Sequence, residues 1–211
     1  MYAVKEIFYT LQGEGARSGR PSVFLRFAGC NLWNGREEDR AQAICNFCDT
    51  DFIGTDGSYG GKYADADQLG DKLVAIWPAS SIHAKPYVVC TGGEPLLQLD
   101  ELLIQALHAR NFEVAVETNG TIEVPQGIDW ICMSPKPGTI IKQRSGNELK
   151  FIYPQSKLDP ADFEEFEFDH FFIQPMDNNK QQENIQQSLE FCLKNPQWKL
   201  SLQTHKMLGI R

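Results

Sequence analysis

No apolar run in the 211-residue chain approaches the ~18 residues that a membrane-spanning helix needs. Residues 1–7 lack the charged-then-apolar pattern of a secretion signal. There is no long basic run either, and 20 Lys and Arg against 28 Asp and Glu leave a formal charge of −8. Phosphate backbones are bound through Lys and Arg, so nucleic acid is set aside as a partner and small-molecule chemistry is expected. These absences point to a cytoplasmic protein without a membrane partner, where thiols stay reduced and six cysteines are not three disulfides. Internal repeats and linker-like stretches are also missing, so residues 1–211 read as one domain.

Histidine is scarce, and none lies in the segment that holds Cys30, Cys45 and Cys48. Three thiolates without a fourth ligand suit an iron–sulfur cube with one iron open to another ligand. A structural zinc site normally closes with four ligands, which makes zinc the second reading and a disulfide the third. Cys90, Cys132 and Cys192 sit among apolar neighbours and read as buried small hydrophobes.

Apolar spacing predicts strands over 2–9, 22–28, 87–91, 112–117, 129–133, 148–153, 170–174 and 199–203. It predicts helices over 65–77, stopped by Pro78, and over 99–110 and 181–193. Leu69, Leu73, Val74 and Trp77 mark the inner stripe of the first helix, and Leu102, Leu103, Ala106 and Leu107 that of the second. Residues 54–61, with four glycines, read as a loop. Strands alternating with helices indicate a parallel α/β sheet. The gaps from Gly120 to Asp129 and from Ser134 to Glu148 are too short or too rich in Pro and Gly for full helical crossovers. The expected fold is therefore α/β, an incomplete TIM-like barrel of about six parallel strands with few outer helices. In such folds ligands bind at the carboxyl ends of the strands, where Gly92-Gly93-Glu94-Pro95 and the three cysteines would lie.

With Cys30, Cys45 and Cys48 followed by Gly92-Gly93-Glu94-Pro95, the chain resembles the radical S-adenosylmethionine superfamily over most of its length. Thr10-Leu11-Gln12-Gly13-Glu14-Gly15, Cys48-Asp49-Thr50-Asp51 and Gln203-Thr204-His205-Lys206 narrow the resemblance to the 7-carboxy-7-deazaguanine synthase family of queuosine biosynthesis. The superfamily's usual cysteine spacing, three residues and then two, is stretched here, with fourteen residues between Cys30 and Cys45. Some members of the family carry such an insertion. Arg36 to Arg40 make it read as a solvated helical excursion, or less simply as a surface for an electron donor.

The resemblance implies a lyase in which a 4Fe-4S cluster and S-adenosyl-L-methionine generate a radical. That radical takes hydrogen from 6-carboxy-5,6,7,8-tetrahydropterin, the ring contracts, ammonia leaves, and 7-carboxy-7-deazaguanine forms. It implies cluster ligation by Cys30, Cys45 and Cys48 and a magnesium ion near Thr50, with Asp49 and Asp51 as competing ligands. Cofactor contacts would come from Gly93, Glu94, Ser134, Pro135, Lys136, Gln174, Pro175, Met176 and Asp177. Leu11, Gln12, Gly13, Glu14, Arg26, Thr91, His205 and Arg211 would meet the substrate. The plainer reading of Arg26 is a buried ion pair, that of Thr50 a turn residue, and that of Thr91 a strand end. A flavodoxin-like electron donor and a homodimer are implied as partners. A glycyl-radical-activating enzyme would share the cysteines and the glycine turn but not Gln12, Glu14 and Arg26. A zinc-bound interaction module is the alternative from outside enzymology. The tail is expected to fold across the opening on Met207, Leu208 and Ile210, and where relatives end in proline this chain has Arg211.

Overall fold

Successive side chains along the strands point to opposite sides of the sheet, and the two faces carry unlike residues. The computed structural model describes residues 1–78 and 84–211. The chain runs β1 (Tyr2–Leu11), β2 (Pro21–Phe27), β3 (Gly61–Tyr63), α1 (Ala66–Ile76), β4 (Tyr87–Gly92), α2 (Glu101–Ala109), β5 (Glu113–Thr118), β6 (Trp130–Met133), β7 (Ser145–Tyr153), β8 (Glu167–Pro175), α3 (Gln181–Lys194), β9 (Trp198–Leu200) and α4 (Thr204–Leu208). The nine strands form one sheet, ordered β3-β1-β2-β4-β5-β6-β7-β8-β9. β1 pairs antiparallel with both β2 and β3 and the remaining pairs are parallel, which leaves seven parallel strands where about six were expected. No helix separates β5 from β6 or β6 from β7, as the short gaps predicted. The fold is a partial α/β barrel with few outer helices.

On the outer face, Leu25, Phe27, Val88, Cys90, Val114 and Val116 pack against Leu69 and Leu73 of α1 and Leu103, Ile104 and Leu107 of α2. Each fully buried side chain of this kind contributes about 1.5–3 kcal/mol. Asp65 and Asp100 cap the two helices, accepting from Gln68 N at 2.9 Å and Leu103 N at 3.0 Å. A second outer core gathers Leu149, Phe151, Phe163, Ile173 and Trp198, with Phe191 of α3. The opposite face carries a small apolar layer of Phe24, Tyr87, Val89, Ala115 and Trp130. Beyond it, toward the strands' carboxyl ends, the inward residues become polar: Arg26, Thr91, Glu117, Lys150 and Gln174.

Several sequence expectations shift. Leu102 and Val74 point outward and are exposed, because α2 turns Ile104 inward beside Leu103 and Leu107 and α1 is covered only at Leu69, Gly70 and Leu73. Part of the glycine-rich loop forms β3, which extends the sheet beside Tyr2 to Val4. The last strand stops at Leu200, since Ser201 turns its hydroxyl onto Gln174 at 3.1 Å. Cys192 is half-buried on α3, whereas Cys90 and Cys132 are buried.

The loop from β1 to β2 was not expected to close the barrel, yet it crosses to the far strands. Gly15 N donates to Ser201 Oγ at 2.9 Å and Ala16 N to Glu148 Oε2 at 2.8 Å. Arg17 lies 4.1 Å over Trp130 and Arg20 3.9 Å over Tyr87, and both pair with Glu113, at 2.9 and 2.6 Å. Tyr87, Glu113 and Trp130 begin β4, β5 and β6, so this plug seals the amino end and leaves the carboxyl end open. Among the described residues, no helix is long and apolar enough to cross a membrane.

Candidate active site

At the open end lies a cleft of about 360 Å³, within the range of roughly 300–1,000 Å³ usual for small-molecule sites. Each parallel strand ends on it. Of the residues singled out from the sequence, all but Cys30, Glu94 and Pro135 line it.

Cys30 follows β2, and Cys45 and Cys48 return beside it from the insertion; all three are free thiols. Burial pushes the Cys30 and Cys45 thiols up, and Lys136 opposes this at Cys45. Gly93 is the cradle behind them: a Cβ there would come within 2.3 Å of Gly29 O and 2.6 Å of Cys30 Cβ. Among the described residues no three His, Cys, Asp or Glu side chains are grouped to hold a single metal ion. Tetrahedral zinc needs its thiolates about 2.3 Å from one point. A cube takes one thiolate at each of three irons, and Cys30, Cys45 and Cys48, all free thiols, are a donor set of that kind. The insertion between them is the expected excursion, a 3₁₀ turn over Glu37–Gln42. Arg40 faces back from it, donating to Cys48 O at 2.9 Å and stacking 4.1 Å over Trp33.

Glu94 does not reach the cleft surface. Its fully buried carboxylate accepts from Leu96 N at 3.0 Å, Thr118 Oγ1 at 2.9 Å and Asn119 N at 2.8 Å. Burial raises its pKa, and these donors offset part of the rise. The carboxylate ties the glycine turn to the end of β5. Lys136 reaches back to Ser134, donating to its carbonyl and hydroxyl oxygens at 2.7 Å each, and burial lowers its pKa.

The substrate-suited group lies across the cleft. Glu14 pairs with Lys150, and Gln12 Nε2 donates to Glu117 Oε1 at 3.0 Å. Burial would lower the Lys150 pKa, but Glu117 and Glu14 outweigh it and hold the ammonium well above its ordinary value. Arg26 donates through Nε to Glu6 Oε1 at 2.9 Å, so the plain ion-pair reading holds for that one nitrogen. Its two Nη groups have no hydrogen-bond partner among the described residues and belong to the cleft wall. The Thr50 hydroxyl is likewise without a partner among the described residues. Asp49 is held by Lys206 at 2.5 Å, and Asp51 by Lys5 at 2.9 Å.

The tail crosses the mouth, but not on its apolar residues: Met207 and Leu208 are exposed. Polar contacts hold it. Thr204 N donates to Gly13 O at 2.9 Å, Lys206 bridges Asp49 and Asp177 at 2.5 Å each, and Arg211 pairs with Glu6. A Cβ on Gly13 would fall 2.2 Å from His205 Nδ1, so the imidazole rests on that glycine.

Sequence reasoning gave no role to Glu6, Phe8, Phe24, Lys150 or Lys206, all of which line the cleft. Period-two alternation was the available signal for Lys150, since Glu148, Lys150 and Ile152 share a face opposite Leu149 and Phe151.

A partial barrel that brings three cysteines to a polar cleft at its carboxyl end has the architecture of radical S-adenosylmethionine enzymes. No family model matches the chain. It is 60% identical over its whole length, and 99% of the relative's, to the 7-carboxy-7-deazaguanine synthase of Bradyrhizobium diazoefficiens. Identity is 57% to the synthase of Burkholderia multivorans, over 99% of both chains, and 37% to that of Bacteroides thetaiotaomicron, over 100% of both. The crystal structure of QueE from Escherichia coli superposes with a TM-score of 0.70 at 25% identity, covering 95% of this chain and 93% of that one. The chain belongs to the 7-carboxy-7-deazaguanine synthase family and is an enzyme of the radical S-adenosylmethionine type, with a 4Fe-4S cluster and S-adenosylmethionine as cofactors.

Proposed function

We propose that this enzyme converts 6-carboxy-5,6,7,8-tetrahydropterin to 7-carboxy-7-deazaguanine with loss of ammonia, and that residues 1–211 act as one domain. The observation that carries the reading is the cleft itself, where thiols for a cluster face a wall suited to a carboxylated pterin. When bound, the cluster and S-adenosylmethionine supply the one-electron chemistry that starts hydrogen abstraction. Cys30, Cys45 and Cys48 hold the cluster. Gly93, Ser134, Lys136 and the Gln174–Asp177 turn line the cofactor's side, and Glu94 and Pro135 support that side from behind.

Gln12, Glu14 and Glu117 offer an amide and two carboxylates to the amino-pyrimidinone edge of the pterin, and Lys150 keeps Glu14 ionised. The unpartnered Nη pair of Arg26 is the fork that a substrate carboxylate fits. Leu11, Gly13, Thr91 and His205 shape the remaining wall. Magnesium prefers oxygen ligands and retains waters. The free Thr50 hydroxyl is its protein ligand, because lysines already occupy Asp49 and Asp51. The family likeness is the support for a flavodoxin-type donor, a homodimer and a cytoplasmic setting.

The test is anaerobic reconstitution of the brown cluster protein, reduction, and incubation with the tetrahydropterin and S-adenosylmethionine. Product identified by mass supports the reading. A fully loaded, reducible cluster that leaves this substrate untouched overturns it.

A further inference from the structure

Glu6 and Arg26 face each other across the β1–β2 pair. The Glu6 carboxylate is divided between two guanidinium groups, with Oε1 accepting from Arg26 Nε at 2.9 Å and Oε2 taken by Arg211 Nη2. Both guanidiniums lie over the Phe8 ring, 5.9 Å away for Arg26 and 4.8 Å for Arg211. Arg211 is tethered twice more, since its carbonyl accepts from Thr10 Oγ1 at 2.7 Å and Nη1 donates to Ser58 Oγ at 3.2 Å. At the cleft wall two guanidinium groups thus share one side-chain carboxylate, beside the unpartnered Nη groups of Arg26.

We propose that Arg211 determines the affinity of the Arg26 subsite for a carboxylate by holding Glu6 to a single contact with Arg26. Carboxylates prefer to engage a guanidinium through both oxygens. Without Arg211, Oε2 of Glu6 is free to swing onto an Arg26 Nη, closing the fork and neutralising it. With Arg211 in place, the fork stays open and the incoming carboxylate becomes the second anion for two cations. Arg211 is a positioning residue acting through Glu6, and the inference rests on the proposed role of Arg26.

The experiment uses the full, reconstituted enzyme and compares Arg211→Ala, Arg211→Lys, Glu6→Gln, Arg211→Ala with Glu6→Gln, and Arg26→Gln. It measures KM and kcat for 6-carboxytetrahydropterin and calorimetric binding of the 7-carboxy-7-deazaguanine product. Arg211→Ala raises KM on the order of tenfold, the scale of one charge-assisted contact, with kcat little changed. Arg211→Lys keeps much of the wild-type affinity. Adding Glu6→Gln to Arg211→Ala restores KM, because the amide no longer competes as an anion for Arg26. An unchanged KM in Arg211→Ala overturns the inference, as does a raised KM that Glu6→Gln does not correct; Arg211 would then only tack down the tail. If Arg26→Gln itself leaves KM and product binding unmoved, the role assigned to Arg26 is what fails.

Discussion

Single side chains divide here into those proposed to meet an iron–sulfur group and those that fill space or pair charges. Replacing Cys30, Cys45 or Cys48 by Ala is expected to abolish cluster absorbance and turnover together. Cys90→Ala keeps both at some stability cost, because its thiol is buried in the outer core, where burial raises its pKa to about 12. A Cys45→Ala protein with full iron content and full rate would falsify the ligand set. Thr50→Val nearly keeps shape and removes the hydroxyl proposed as the magnesium ligand; the expected result is a blunted magnesium response in steady-state rate. An unaltered response would move the ion to Asp49 or Asp51 or off the protein. Lys150→Met should be the costly change on the inner face. It leaves the part-buried Glu14 and Glu117 without their cation; breaking a fully buried pair typically costs about 3–5 kcal/mol, and a fall in urea midpoint short of that limit is expected. The cysteines were legible because the Cys45-x-x-Cys48 pair survives although the insertion stretches the gap from Cys30; Lys150 was not, because a lysine inside an apolar strand reads as a surface residue until the closed face is known.

The elements were legible where local periodicity decides them. The capped helices α1 and α2 and the buried strand β4 fall within a residue or two of their sequence limits. What the sequence did not carry was partnership between distant segments, such as β3 against β1 or the 186 residues separating Gly15 from the Ser201 hydroxyl it donates to. The tail shows the difference. Its apolar residues suggested a hydrophobic lid, but the structure makes it a polar strap, with Gln203 donating to Glu14 at 2.9 Å and Lys206 joining Asp49 to Asp177. A strap of this kind links the loop that bears Cys48 to the end of β8. Deleting residues from Leu208 onward removes the Arg211 contacts and leaves Lys206 in place, so turnover at substrate concentrations below KM should fall while cluster absorbance stays. Equal turnover in the truncated and full chains would take the tail out of the site. A tag fused at residue 1 should do less, because residues 1–5 do not line the cleft.

Across the whole molecule, ion pairs fasten the plug at the amino end and the tail strap at the mouth of the cleft, and that gives the protein a pH signature. Glu113 in the plug is held below its ordinary pKa by the Arg20 guanidinium, against some burial. At the mouth, burial pushes Glu14 and Asp49 up, but Lys150 and Lys206 outweigh it and hold both below the usual carboxylate range. A carboxyl group whose folded pKa is depressed contributes stability above its unfolded value, about 4, and loses it as pH falls through the folded value. Glu94 runs the other way, since burial raises its pKa and its ionisation detracts from stability as pH rises. Glu37, Asp51, Asp56 and Asp129 are depressed as well, and seven depressed carboxyl groups against one raised predict a net loss on acidification. Far-UV circular dichroism melts of the cluster-loaded protein should be level from about pH 7 to 5 and fall steeply below about pH 4, with cluster absorbance followed separately. Asp49 and Lys206 are the more exposed pair, so protease cleavage in the tail should begin at a higher pH than loss of the sheet signal. Melting temperatures that stay flat through pH 3, or a tail no more sensitive than the sheet, would show that these ion pairs do not hold the two ends closed.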